Sequence, residues 1–341
     1  MGRITMQEIA ERAGVSLATV SRTLHSPHLV QPETRKRVLR IMEENNYVYN
    51  ALAADLSRQT TSIIGLIIPT VTSSIFAKSI AGIQEYAIEQ GFSVVIGNTD
   101  YDDETESMLF DHLLRRRTAG IILTGLSGNM ADLIARSDVP SVVIWEAPES
   151  PPVNYVGFDN FRAARSITEY LISLGHTRIG LIAGPFSRVA RVQRRLEGYR
   201  AALEGNSIPY DPSLVMETHF YSLVNGEEAM ARLLNANPRP TAVFAASDVL
   251  AMGALKTLKT RGLNVPNDIS LAGFDDIDFA AYCDPPLTTV RVPGYEMGSL
   301  AARILLEDIA GSGKGVRQYS LDTDLILRES CCRFGRQPLS R

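Results

Sequence analysis

A chain of 341 residues, 45% hydrophobic and 21% charged, holds enough apolar side chain for two or three globular units, which excludes a disordered chain or a fibrous repeat. No apolar run approaches the ~18 residues that span a bilayer, and the first residues are polar where an export leader is apolar, so a cytoplasmic protein with no membrane contact is expected. The formal charge of −4 hides an asymmetry: residues 1–60 carry eight Lys and Arg against six Asp and Glu, whereas the remainder carries 26 against 32.

In chain order, Thr5-Met6-Gln7-Glu8 has the spacing of a capping box, and Ile9, Ala10 and Ala13 give the helix it starts one apolar face that ends at Gly14. Ser16 suits the cap of a second helix with Val20 and Leu24 inward and Leu17, Ala18, Ser21 and Arg22 outward. Pro32 opens a third, whose Val38, Ile41 and Met42 cover the first two. This is a helix-turn-helix pattern, although spacing alone also allows a helical hairpin packed only for structure. Residues 50–58 contain good helix formers but too few to hold a helix unsupported, and the Gly, Ser and Pro of a plain linker are scarce, so a hinge helix is expected.

From residue 62, short β-branched runs alternate with helical stretches, the pattern of parallel sheets wrapped by helices. The runs are 63–69, 93–99, 120–125 and 141–146, then 178–184, 241–247 and 269–275, which implies two lobes. Ligands in such sheets sit beyond the carboxyl ends of the strands. The candidates there are Ser73, Ser74, Phe76, Trp145, Glu146, Ser247, Asp248 and Asp275, with Phe220 as a further apolar wall. Asp, Glu and Ser suit hydroxyl groups, and the aromatic rings suit a carbon face. Each also has a structural reading, since carboxylates after strands often cap helices and a lone Trp is as often core.

The run Ile9-Ala10-Glu11-Arg12-Ala13-Gly14-Val15-Ser16 followed by Thr19-Val20-Ser21-Arg22 closely resembles the headpiece of the LacI/GalR family of bacterial repressors. The likeness continues through Val30, Thr34-Arg35, Asn46-Tyr47 and Asn50 into the body. It implies an α/β protein: a three-helix headpiece and hinge helix followed by a two-lobed, periplasmic-binding-protein-like sensor. The implied divisions are a headpiece over 1–49, a hinge over 50–61, a sensor over 62–331 and a tail over 332–341. Lobe one takes about 62–160 and 290–321, and lobe two about 161–289 and 322–331, with crossings near Asp159, Thr289 and Asp322.

The resemblance places the second helix in the major groove of a pseudo-palindromic duplex operator bound by a homodimer. Leu17, Ala18 and Arg22 then face base edges, and Thr5, Ser16, Ser21 and Thr34 face phosphates. It gives Asn50, Ala53 and Leu56 to the hinge, with Leu56 as a minor-groove wedge. Tyr49 stands where the family usually has Pro, and Asp55 where a neutral or basic residue is usual.

The segment 184–199 resembles the family's effector loop, with Arg195 at the position of its ligand-anchoring arginine and Arg188 and Arg191 adding cations. Arginine forks suit carboxylates, so a sugar acid that acts as inducer is expected. Residues 156–165 also resemble the gluconate-regulator branch. A neutral sugar or a purine remains open. An enzyme or a transport binding protein is the competing class, but Gly311–Gly315 lacks the residues of a phosphate loop and no nucleophile elbow is present. Neither the five histidines nor Cys283, Cys331 and Cys332 have metal-site spacing, so no cofactor or metal is expected.

Overall fold

The computed structural model describes residues 4–25, 29–45, 47, 61–71, 73–126, 128–145, 153–186 and 189–335, which fall into two units, Met1–Thr61 and Ser62–Arg341. In the first, α1 (Met6–Ala13), α2 (Leu17–His25) and α3 (Pro32–Glu44) enclose Ile9, Ala10, Ala13, Val20, Val38 and Met42. The capping box forms as expected: Glu8 N–H donates to Thr5 Oγ1 and the Glu8 carboxylate accepts from Thr5 N–H. Gly14, at φ 62°, ends α1, and Ser16 Oγ accepts from Thr19 N–H to start α2. The expected hinge residues Asn50, Ala53 and Leu56 lie outside the described residues.

The second unit opens with β1 (Ile63–Ile68), α4 (Ala77–Glu89), β2 (Ser93–Asn98), α5 (Asp103–Arg115), β3 (Gly120–Thr124), α6 (Met130–Arg136), β4 (Ser141–Trp145) and β5 (Asn154–Phe158). Next come α7 (Asn160–Ser173), β6 (Ile179–Ala183), α8 (Ala190–Gly205), β7 (Val215–Glu217), α9 (Leu223–Leu233), β8 (Ala242–Ala245), α10 (Asp248–Thr260) and β9 (Ser270–Ala272). It closes with β10 (Thr289–Arg291), α11 (Gly294–Ile309), β11 (Gln318–Leu321) and β12 (Asp324–Ile326). The strands form a parallel sheet of order β11-β5-β4-β3-β1-β2, a parallel sheet of order β7-β6-β8-β9, and an antiparallel β10-β12 pair. No helix among the described residues is long and apolar enough to cross a membrane.

Strands β3 and β4 are buried throughout because helices cover both faces of the sheet, hence their unbroken apolar sequences. One core runs through both large sheets and includes Leu66, Ile122 and Ile144 from the first and Leu181 and Phe244 from the second. An aromatic column crosses between them: Phe76, Trp145, Phe158, Phe274 and Phe244, with successive ring centroids 5.3, 6.0, 6.2 and 6.3 Å apart.

Helix pairs on the sheets touch through glycine. A Cβ on Gly298 of α11 would lie 2.1 Å from Ser79 O of α4, and one on Gly82 of α4 would lie 2.2 Å from Tyr295 O of α11. Gly226 and Gly253 repeat the arrangement between α9 and α10. The C-terminal residues expected as a tail are partly packed: Cys332 N–H donates to Ser270 Oγ and Phe334 N–H to Leu174 O, while His176 lies 3.0 Å from Cys332 O. Backbone pairing extends the body past residue 331.

Gly298→Val is expected to force α4 and α11 apart and cost about 1–3 kcal/mol, read as a lower urea midpoint of unfolding. Gly205→Ala, where a Cβ meets nothing within 4 Å, is expected to hold or slightly raise that midpoint.

Candidate DNA-reading face and ligand pocket

On the headpiece, the register of α2 that buries Val20 leaves Leu17, Ala18 and Arg22 exposed and Ser21 half-buried. Thr34 is half-buried in the first turn of α3. Thr5 and Ser16 are caps in this structure. Thr5 gives both its N–H and its hydroxyl to Glu8, and Ser16 Oγ lies 2.9 Å from Thr19 Oγ1.

In the body, the carboxyl ends of both large sheets meet around two buried arginines contributed by α8. Arg195 is 2% exposed. Its Nε donates to Asn160 Oδ1 and its Nη1 to Ala246 O, both at 2.8 Å, and its guanidinium lies 3.8 Å from the Phe274 ring centroid. These contacts fix the plane and leave Nη2 directed towards Asp275, 4.0 Å from Oδ1. Asn160 also donates to Trp145 O, tying the end of β4 to the arginine. Arg191, equally buried, lies 6.0 Å from the Phe76 ring centroid, and the Tyr101 and Tyr221 hydroxyls share this electrostatic environment.

Asp275 follows β9 at φ 109°, and Asp276 follows it at φ 52°. The turn sends their carboxylates to different neighbours. Asp275 is buried with neither oxygen within hydrogen-bond distance of a partner, and burial pushes its pKa up to about 7 against the pull of Arg195. Asp276 accepts from Arg291 Nε at 2.8 Å and Arg328 Nη2 at 2.7 Å. Burial opposes its ionisation, but those hydrogen bonds prevail and hold its pKa below the ordinary value.

Ser73 Oγ, Thr124 Oγ1 and Trp145 Nε1 are likewise buried without a hydrogen-bond partner. Buried polar atoms are costly to leave unpaired, so their convergence marks a place built to receive polar groups. Two small cavities adjoin it. One of about 110 Å³ is lined by Ser74, Lys78, Trp145, Asp275 and Val292, and one of about 40 Å³ by Thr99, Tyr101, Glu106, Thr124 and Arg191. Among the described residues, no cluster of His, Cys, Asp and Glu has the geometry of a metal site.

Residues 5–50 match the model of the bacterial regulatory proteins of the lacI family, and residues 168–331 that of a periplasmic binding protein-like domain. The transcriptional repressor CytR of Escherichia coli (strain K12) is 36% identical over 328 residues, 96% of this chain and 96% of its own length. The lac repressor dimer bound to operator and an anti-inducer superimposes with a TM-score of 0.83 at 29% identity, over 97% of this chain and 100% of that one. A transcriptional regulator CelR–cellobiose complex does so with 0.73 at 32% identity, over 96% and 100%. The chain belongs to the LacI family. It is a DNA-binding transcriptional repressor with a ligand-binding domain, and its relatives are regulators, not enzymes.

The repressor's expected pocket residues are not all in the cleft. Ser73, Ser74, Phe76, Trp145, Arg191, Arg195, Ser247 and Asp275 gather at the strand ends, whereas Glu146 and Arg188 lie outside the described residues. Phe220 is a correction: it is 60% exposed, and the neighbouring Tyr221 turns inward to pack on Gly184, where a Cβ would sit 2.5 Å from Tyr221 Cζ. Asp248 is another. It is fully buried, accepting from Ile277 N–H at 2.9 Å and Thr289 Oγ1 at 2.6 Å, so it braces the β9 turn. Sequence reading also missed Tyr101, Thr124 and Asn160. Tyr101 and Thr124 each stand at the end of an expected strand run, the signal that would have found them.

Since the Asp275 carboxyl titrates near 4 when unfolded and near 7 when folded, its stabilising contribution is present below pH 4 and lost as pH rises to 7. Asp275→Asn is expected to remove that loss, on the order of 4 kcal/mol at most, and to flatten the fall in melting temperature between pH 5 and pH 8. An equal fall in both proteins would show that Asp275 is not its source.

Proposed function

We propose that this repressor binds a pseudo-palindromic operator as a homodimer and loses operator affinity when a sugar acid of the gluconate class occupies the cleft. The observation that carries the ligand class is the pair of buried guanidiniums, Arg191 and Arg195, that α8 brings to the strand ends, with Asp275 beside Arg195 and Glu106 lining the cavity beside Arg191. Guanidiniums form charge-assisted, bidentate hydrogen bonds with carboxylates, so a ligand carboxylate suits this pair better than a neutral group does. The hydroxyls of Tyr101, Thr124 and Ser73 suit the polyol part. Residues 156–165, in which the sequence resembles gluconate regulators, contribute Asn160, the hydrogen-bond partner of Arg195.

The proposed division is a reading head over 1–49, a hinge over 50–61 carrying Asn50, Ala53 and Leu56, and two lobes over 62–331, with 332–341 the terminal segment. Leu17, Ala18 and Arg22 meet base edges, and Thr5, Ser16, Ser21 and Thr34 lie towards phosphates. A neutral sugar is the second reading, favoured by the acceptor oxygens of Asp275 and by the cellobiose complex of a structural neighbour.

A thermal-shift titration with gluconate, 2-ketogluconate, glucose, cellobiose, phosphosugars and purines separates these ligands. At about a hundred times its Kd, a ligand adds about 2.7 kcal/mol of stability. Sugar acids alone are expected to raise the melting temperature, and Arg191→Leu to abolish that rise while operator binding stays intact; a rise with neutral sugars alone overturns the acid assignment. Arg22→Ala is expected to cost about 1–3 kcal/mol of discrimination at one base pair in each half-site, measured against a panel of single-base operator variants.

A further inference from the structure

Asp275 is buried where charged and polar groups from several elements face it. Arg195 and Arg191 do so from α8, Tyr221 from the segment before α9, Tyr101 from the segment after β2, and the Ser247 hydroxyl from the start of α10. Burial raises the pKa of both tyrosines, which stay neutral. Asp248, behind the turn, is held by Ile277 N–H and Thr289 Oγ1, and burial raises its pKa well above the ordinary value. Asp276 is matched by Arg291 and Arg328, and Lys78, which lines the larger cavity with Asp275, is matched by Asp278. What remains in the cleft is two guanidiniums, Arg191 and Arg195, and two carboxyl groups, Asp275 and Glu106. With both carboxyls ionised these charges cancel, so an acid ligand enters with one negative charge in excess. Glu106 is already engaged, whereas neither oxygen of Asp275 has a donor within hydrogen-bond distance. Arg195 Nη2, itself without a hydrogen-bond partner, stands 4.0 Å from Oδ1, so the ionised form is held only by attraction across a gap.

We propose that Asp275 admits a ligand carboxylate by taking up a proton: the sugar acid and one hydrogen ion from solvent enter the cleft together, and Asp275 holds that proton in the bound state. A second carboxylate in the same low-dielectric space disfavours the ionised form of the first, because like charges a few ångströms apart resist joint ionisation. Burial has already brought Asp275 to a pKa of about 7, so the added repulsion acts on a group poised to change state. The neutral carboxyl also gains an O–H donor, which an ionised one lacks, to offer to a ligand oxygen. The inference rests on the acid reading of the cleft and adds its regulation by pH. An acid ligand then binds more weakly as pH rises above 7 and at constant strength once Asp275 is protonated beforehand. A neutral sugar adds no charge and is bonded best through a hydroxyl donated to the ionised Asp275, so its binding strengthens as pH rises towards 7.

The test is titration calorimetry of the full chain with gluconate and 2-ketogluconate at pH 8, in HEPES and in Tris, whose ionisation enthalpies differ, so that the difference in observed heat counts protons. Close to one proton taken up per ligand is expected at pH 8, and a Kd that rises about fivefold between pH 7 and pH 8. Asp275→Asn, which keeps the uncharged shape, is expected to bind the acid without proton uptake and with a Kd that stays level over that range. Binding to the wild type without proton uptake overturns the inference and leaves the acid reading in place, and that measurement needs no variant to fold. Equal uptake in the Asn variant assigns the proton to another group and also overturns it. If neither acid binds at any pH between 6 and 8, the acid reading itself falls, and this inference with it.

Discussion

Everything at the cleft depends on how one turn handles two adjacent carboxylates. Asp275 and Asp276 leave β9 in left-handed backbone, which splays their side chains. Asp275 goes to the buried arginine, and Asp276 goes to Arg291 on β10 and to Arg328 just beyond β12. Asp248 holds the same turn from behind through Ile277 N–H and Thr289 Oγ1. Burial raises the pKa of Asp248 and Asp275, whereas Asp276 is held ionised by two guanidiniums; the fixed contacts of Asp248 and Asp276 tie the turn to the crossing strands in one arrangement. In the proposed mechanism, a ligand that changes the charge balance at Asp275 acts on a peptide that also grips those crossing strands. Lobe closure then has a direct mechanical input.

That arrangement needs strand ends delivered accurately, which the helix layers achieve through glycine. Reciprocal contacts between α4 and α11, and between α9 and α10, bring backbones together at distances no side chain permits. The sheet edges beneath them are held correspondingly firmly. The aromatic column from Phe76 to Phe244 then makes the two sheets share one core, and exposed polar contacts join them at the surface. One of these, Lys78 Nζ to Asp278 Oδ1 at 3.2 Å, is solvent-exposed and worth at most about 1 kcal/mol, which suits a contact that must open.

Much of this was legible from residue order, because local rules governed it. The capping box, Gly14 and Pro32 bounded the headpiece helices where the structure has them, and unbroken apolar runs located β1, β3 and β4. What was missed depends on tertiary context. β11 is a polar edge strand that owes its conformation to pairing with β5, and β7 is three residues long. Neither has the apolar alternation or length that a sequence pattern detects. Phe220 and Tyr221 are adjacent aromatics, and only the space above Gly184 decides which turns inward. Asp248 and Asp275 are both acids just after strand runs, so residue type cannot tell the brace from the group left without a partner.

The same reasoning separates the two arginines of α8, which sequence likeness treats as a graded set led by Arg195. Nε and Nη1 of Arg195 are engaged by protein acceptors and its face by Phe274, so the nitrogen left open is Nη2, held in a fixed direction. Such a group orients a hydroxyl or an acid oxygen well but discriminates poorly between them, since its N–H groups donate to either oxygen. Arg191 lies beside the smaller cavity, on the side lined by Thr99, Tyr101 and Thr124. In the proposed reading, discrimination between an acid and its neutral analogue falls to Arg191, while the arginine most like the family's anchor sets the pose.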